Sequence, residues 1–229
     1  MLSRSERRAV ILIVLTFALV YAYFFQGGGW NQNSRFDTIR ALVERGTLEI
    51  SDYSQNTGDT SMVGDRIYSN KPPGLAFVGA PVYLLAYIFE MWLGVNPGDP
   101  NMATANAHLL TFITSGLPGT LLLVVIFLCF RRRQIPVHDS LFLVGAFGVG
   151  SLILPYAGVM MNHNLVALCL FAAWFLVTSS TINGRKLLAG GSLLGIAVLS
   201  NYVALPLIMV YALYLLLSLS STVLHETYS

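Results

Sequence analysis

Lys71 is the residue best placed to do chemistry. It closes a long polar insert, Gln26 to Gly74, in the run Tyr68-Ser69-Asn70-Lys71-Pro72-Pro73-Gly74. The two prolines hold the backbone extended and bias Lys71 away from helix. An ammonium presented this way can bind a phosphate or pyrophosphate as a point charge. The plainer reading is a lysine that snorkels to head groups beside a Pro-Pro turn. The insert also carries Arg35, Asp37, Asp52, Asp59, Asp65 and Arg66, so general-base candidates lie on the approach to the lysine. A loop of this length is either functional or disordered. Its aromatics, helical pattern and rigid Pro-Pro end favour functional order.

Asn162-His163-Asn164 is a second constellation, at the outer end of an apolar run. A histidine flanked by amides at a membrane edge is a functional-site candidate that could bind phosphate or orient an acceptor. The alternative is a helix cap made by Asn162 with His163 at the interface. Asn201-Tyr202 sits at a break that could line the same cavity. His108 reads as a packing histidine on an apolar face, and His138 and His225 fall on the opposite side of the membrane. Cys129 and Cys169 lie in apolar runs without metal spacing and read as small packers.

The scaffold behind these residues is apolar. The 229-residue chain is 55% hydrophobic and 10% charged, with mean hydropathy +0.66. Soluble domains carry about 25% charged residues, so the composition points to an all-α integral membrane protein. The net charge of +2 is small, and the basic residues sit at helix ends, where topology explains them without nucleic acid.

Three arginines precede the apolar run Ala9 to Phe25, which places the N-terminus in the cytoplasm and the insert outside. No cleavage site follows that run, so it reads as a retained span. Within the insert, Ser34 to Glu44 is predicted as a helix with Phe36, Ile39, Leu42 and Val43 on one face. Ser34 with Asp37 would form a capping box, and Gly46 would end the helix. Leu48 to Tyr53 reads as a short strand or extended segment, and Gln55 to Gly64 as turns.

Leu75 to Leu93 is interrupted by Pro81 and Glu90. Ala103 to Phe130 is a clear span ending in Arg131-Arg132-Arg133, an inside signal. Leu75 to Leu93 would then begin and end outside, as a surface segment. Alternation adds Asp139–Tyr156, Asn164–Thr181, Leu187–Leu199 and Leu207–Val223. Six spans result, organised as a first helix (1–25), an extracytoplasmic loop with amphipathic helices (26–102) and the remaining bundle (103–229). The stop at Ser229, just after a span, suggests a fragment or a minimal module.

This order of features resembles the membrane glycosyltransferases of the GT-C superfamily, in the protein mannosyltransferase and aminoarabinose transferase branch. An outer loop opens on a polar helix with an Arg-aromatic pair, closes on Tyr-x-x-Lys-Pro-Pro, and leads to an amphipathic segment and a span ending in arginines. The resemblance covers Asn31 to about Leu217 and is most specific at Tyr68 to Gly74. It implies a bacterial or archaeal cell-membrane enzyme. Such an enzyme moves a sugar from a polyprenyl-phosphate donor to an acceptor on the outer face, by inverting displacement, with a divalent metal as an optional cofactor. Lys71 matches the family lysine near the donor phosphate, and Arg35-Phe36 matches an Arg-Tyr pair. The acidic residue expected just before that pair is replaced by Gln32 and Asn33, which cannot accept a proton at neutral pH. Asp59, Asp65 and Asp37 are the substitute bases. Lys71, Arg35, Asn33, Tyr68, His163 and Asn162 are the substrate-binding candidates. The rival expectation is a non-catalytic lipid-binding or transport-associated protein that keeps the fold. Partners are the lipid-linked donor and membrane lipids.

Overall fold

The computed structural model describes residues 2–179 and 183–227, without the side chains of 215 and 218–227. The end of the expected Asn164–Thr181 segment and the side chain of His225 lie outside the described residues. The chain is helical apart from one hairpin. Its helices are α1 (Arg4–Tyr23), α2 (Trp30–Arg45), α3 (Gly74–Trp92), α4 (Pro100–Thr111), α5 (Leu117–Arg132), α6 (Val137–Gly150), α7 (Ile153–Ala157), α8 (His163–Val177), α9 (Gly184–Ser200) and α10 (Leu205–Thr227).

A π turn, Phe112–Gly116, joins α4 and α5 into one helix of 33 residues, Pro100–Arg132. Pro118 is the physical cause: it lacks an N–H for Thr114 and its ring crowds the preceding turn. Thr111 and Thr114 donate back to Ala107 and Leu110 at 2.7 Å, which helps hold the widened turn.

Two helices are long and apolar enough to cross a membrane by length and composition, Pro100–Arg132 and α3. That is fewer than the six spans expected. The runs chosen by alternation fold into shorter helices, such as α6 with 14 residues and α8 with 15. Asp139–Tyr156 is not continuous, because the chain breaks at Ser151–Leu152 between α6 and α7. The helix α3, expected on the surface, is one of the two that pass.

The core has three parts. Ala9, Ile13, Phe17 and Tyr21 recur every fourth residue on α1 and pack on Leu123, Phe127 and Val144. Phe36 and Ile39 of α2 pack on Leu75, Ala76 and Tyr83 of α3 and Leu110 of α4, the apolar face read from the sequence. Leu165 and Cys169 pack on Ala197 and Ala204, so Cys169 is the buried packer expected.

Contacts fix the relative heights of the helices. Ala22 O lies 2.6 Å from His108 Nε2, and Glu6 pairs with Arg131 at 2.9 Å, so α1 runs antiparallel beside residues 108–131. By contrast, Asn106 donates to Glu90 at 3.2 Å, and Gly79 sits beside Thr114. Thus α3 stands beside the N-terminal part of the long helix.

The insert is ordered. Its helix begins at Trp30, a turn before the predicted Ser34, because the Gln32 side chain reaches back to accept from the Gly29 N–H at 2.6 Å. The expected Ser34–Asp37 box does not form; both residues are buried inside α2. Gly46 ends the helix as predicted, with φ +66°. The segment read as turns contributes to an antiparallel hairpin, β1 (Thr60–Val63) and β2 (Arg66–Ser69), with Thr60 opposite Ser69 and Glu49 bridging Tyr68. Arg40 and Glu44 pair at 2.9 Å, and Tyr53 and Tyr83 both donate to Glu44, at 3.0 and 2.6 Å. This network ties α2 to α3 and to the loop.

Candidate functional site

Ser34 anchors the site. From the middle of α2 its Oγ donates to Asp59 O at 2.7 Å and lies 2.6 Å from Ser69 Oγ. Ser69 Oγ in turn accepts the Lys71 N–H at 3.1 Å, and Asp59 O accepts the Asn70 N–H at 3.3 Å. The open base of the hairpin is thereby pinned to the helix. Lys71 Nζ and Asp59 Oδ2 pair there at 3.0 Å, both side chains mostly buried. Sequence reasoning used Ser34 only as a cap and missed Ser69; pairing Asp59 with Lys71 follows from the strand register, which the two-residue Gly64-Asp65 turn sets.

Arg35 is the next residue on α2 and is 6% exposed. Its Nε donates to Asn31 at 2.8 Å, while Nη1 has no hydrogen-bond partner. Burial pushes its pKa down to about 10, partly offset by the Asp59 carboxylate. Arg35 is also within electrostatic reach of His163. One buried guanidinium thus links the loop carboxylate to the start of α8.

The bundle brings His163 to this place through the π turn. Ser115 Oγ donates to Met161 O at 2.8 Å and accepts the Met161 N–H at 3.2 Å. Asn164 Nδ2 donates to Ile153 O at 3.0 Å, and His163 packs on Tyr156 with centroids 4.2 Å apart. Asn162 does not cap α8; its amide donates to Ser200 O at the end of α9. The turn after Lys71 meets the same point. A Cβ on Gly74 would lie 2.4 Å from Leu199 C and 2.5 Å from Ser200 N, so only glycine fits. Ser200 Oγ is buried and unpartnered. Gly74, three residues after Lys71, and Asn162, the residue before His163, thus both meet Ser200 at the end of α9.

The remaining candidates lie elsewhere. Asp37 is fully buried; Asn56 donates to its Oδ1 at 3.4 Å and Oδ2 has no partner. Burial raises its pKa to about 7. Asp65 sits at the hairpin tip, at the end opposite Lys71. Asn33 donates to Asn56 O at 2.8 Å, and Gln32 caps α2 and donates to Gln26 O at 3.0 Å, so both amides hold structure. Tyr68 pairs with Ser61 inside the hairpin. His108 stacks on Phe25, as a packing histidine would.

An apolar groove leads away from His163. Leu122, Ile126, Phe147, Leu152 and Tyr156 line a cavity of about 550 Å³ between α5, α6 and α8, with His163 and Asn164 at one end. Among the described residues, no group of three acidic, histidine or cysteine side chains could hold a metal ion. No family model, curated protein or solved structure matches this chain.

Proposed function

We propose that this chain is a GT-C-like membrane glycosyltransferase module acting on a polyprenyl-phosphate sugar. The observation that carries the reading is the buried Arg35 guanidinium, whose Nη1 has no hydrogen-bond partner and which is within electrostatic reach of Asp59, the partner of Lys71, and of His163. A buried guanidinium N–H without a partner is costly, and an anionic oxygen would relieve it. A phosphate has the charge and acceptors to engage Arg35 and Lys71 together. The apolar groove starting at His163 suits the isoprenoid chain of such a carrier.

A membrane setting supports the reading. Leu12, Leu15, Leu19, Phe142 and Leu188 are exposed, as lipid-facing residues would be. Eight of the thirteen basic residues, Arg4, Arg7, Arg8, Arg131, Arg132, Arg133, Arg185 and Lys186, belong to one end of the bundle. By the positive-inside rule that end is cytoplasmic. We take α1, the long helix, α6 with α7, α8, α9 and α10 as the six crossings, and α3 as the outer segment beside the top of the long helix.

Asp59 is the base in this scheme. The donor phosphate takes Lys71 from Asp59, and the freed carboxylate accepts the acceptor's proton. The acceptor oxygen bonds to the anomeric carbon as the carbon–phosphate oxygen bond breaks with inversion. Lys71 and Arg35 stabilise the charge on the departing phosphate. Asp59→Asn is expected to lower turnover of a polyprenyl-phosphate sugar by at least 100-fold, the usual range for a general base, while donor binding persists. Turnover equal to wild type would remove Asp59 from the mechanism.

A second reading is a non-catalytic lipid-phosphate binder. The hydrogen bonds of Gln32 and Asn33 favour it, because both amides serve as structural groups where the family would place an acid. Donor binding without turnover by the wild-type protein would select this reading.

A further inference from the structure

A second polar cavity lies at the opposite end of the bundle. Cys129, Arg132, Arg133, Trp174, Thr178 and Tyr214 of α5, α8 and α10 enclose about 410 Å³. Two of these are guanidinium groups. Among the described residues neither forms an ion pair, whereas neighbouring Arg131 is paired with Glu6 at 2.9 Å. Arg132 is held in place rather than splayed: its guanidinium lies 3.6 Å over the Phe175 ring, and Nη1 donates to Phe175 O at 2.9 Å. That uses one of five N–H donors. Trp174 and Tyr214 are amphipathic aromatics of the kind found at head-group depth.

An apolar cavity lies about one helical turn further along the same helices. Phe130, Leu170, Phe171 and Tyr211, on the same three helices, line about 540 Å³ next to it. Phe171 of the apolar cavity and Trp174 of the polar one pack in a tilted pair with centroids 5.3 Å apart. A polar, cationic mouth over an apolar groove fits a molecule with an anionic head and a hydrocarbon tail.

We infer that this pocket binds the head group of an anionic phospholipid of the cytoplasmic leaflet, with one acyl chain in the adjoining groove. Basic pockets between membrane helices on the cytoplasmic side select anionic lipids by this chemistry. The inference rests on the membrane orientation proposed above, and its acyl groove shares Leu122, Ile126, Phe147 and Ala167 with the groove that starts at His163.

The test uses the full chain in detergent micelles, with bound lipid counted by native mass spectrometry after titration with phosphatidylglycerol or phosphatidylcholine. Phosphatidylglycerol is expected to bind more tightly. The double variant Arg132→Gln, Arg133→Gln should bind it about 10- to 30-fold more weakly, at about 1 kcal/mol per basic contact. Arg8→Gln, an exposed basic change at the same end, should bind as wild type. Arg66→Gln, an exposed basic change in the loop between α2 and α3, should also leave this binding intact. Equal affinity for the two lipids, undiminished binding by the double variant, or an equal loss in Arg8→Gln would overturn the inference. Displacement of the lipid by millimolar inorganic phosphate would likewise overturn it, by assigning the pocket to a free anion. If the double variant fails to fold, Trp174→Ala, which leaves both arginines, should still weaken lipid retention; unchanged retention there counts against the pocket.

Discussion

Asp37 has a consequence for stability that its neighbours do not. It is fully buried, and burial raises its pKa to about 7. Below about pH 4 the carboxyl is protonated in both the folded and unfolded chain. As pH rises towards 7 the unfolded chain ionises while the folded one holds its proton, so stability falls; above about 7 the loss levels off. Stability contributed by this group is thus full at low pH and lost as pH rises to the folded pKa. Asp37→Asn should flatten that part of the pH–stability profile, measured as thermal midpoint between pH 4 and 8 in detergent. An unchanged slope would mean that Asp37 is not the titrating group. Nothing in the sequence marks Asp37 as buried: it falls inside a helical pattern next to Phe36, and its type suggested a cap. The distinction between Asp37, Asp59 and Asp65 comes from burial and strand register. Sequence spacing left the three open because it does not carry burial, and the register signal of Gly64-Asp65 was not used.

At the scale of elements, the helix in the insert was legible because Phe36, Ile39 and Val43 follow a helical period and Gly46 supplies a C-terminal stop. Its true start was not, because the stop-start chemistry is a glutamine folding back on Gly29 rather than a serine cap. The hairpin was short but its signal was present: Thr60, Val63, Ile67 and Tyr68 are strand formers flanking Gly64-Asp65, a two-residue hairpin turn that was read only as part of a turn-rich loop. Tyr68-x-x-Lys71-Pro72-Pro73-Gly74 was read for its rigidity, and the structure adds the reason for its last residue. Gly74 starts α3 against the backbone of Leu199 and Ser200. Gly74→Ala must push α3 from α9, and overpacking of this kind costs about 1–3 kcal/mol. The thermal midpoint should drop accordingly. A midpoint equal to wild type would show that the close approach is not maintained.

At the scale of the molecule, eight of the eleven acidic residues lie in one stretch, where five of the thirteen basic residues accompany them. Asp37, Glu44, Glu49, Asp52, Asp59, Asp65, Glu90 and Asp99 all lie between α1 and the long helix, at the end away from the eight clustered basic residues. This asymmetry was readable from the sequence, since it depends on order along the chain and not on contacts. The number of crossings was not, because hydropathy alone treats α3 and α5 alike. With single cysteines at Asp59 and Gln134 in a Cys129→Ala, Cys169→Ala background, an impermeant maleimide should label position 59 in intact cells and spare position 134. Labelling of position 134 from outside would invert the orientation or make α3 a crossing.

The central claim is that Lys71 and Arg35 form a lipid-phosphate site, and direct binding tests it without knowledge of sugar or acceptor. The measurement is the affinity of the purified chain, in lipid nanodiscs at fixed salt, for a short-chain polyprenyl phosphate, compared with the uncharged polyprenol. The phosphate should bind more tightly, and Lys71→Ala should weaken it by about 10- to 150-fold, the equivalent of roughly 1.5–3 kcal/mol for a hydrogen bond to a charged group. Lys71→Arg should recover part of that loss, because the two cations differ in shape and hydration. Equal affinity for the phosphate and the alcohol, or an alanine variant that binds as wild type, would contradict the account.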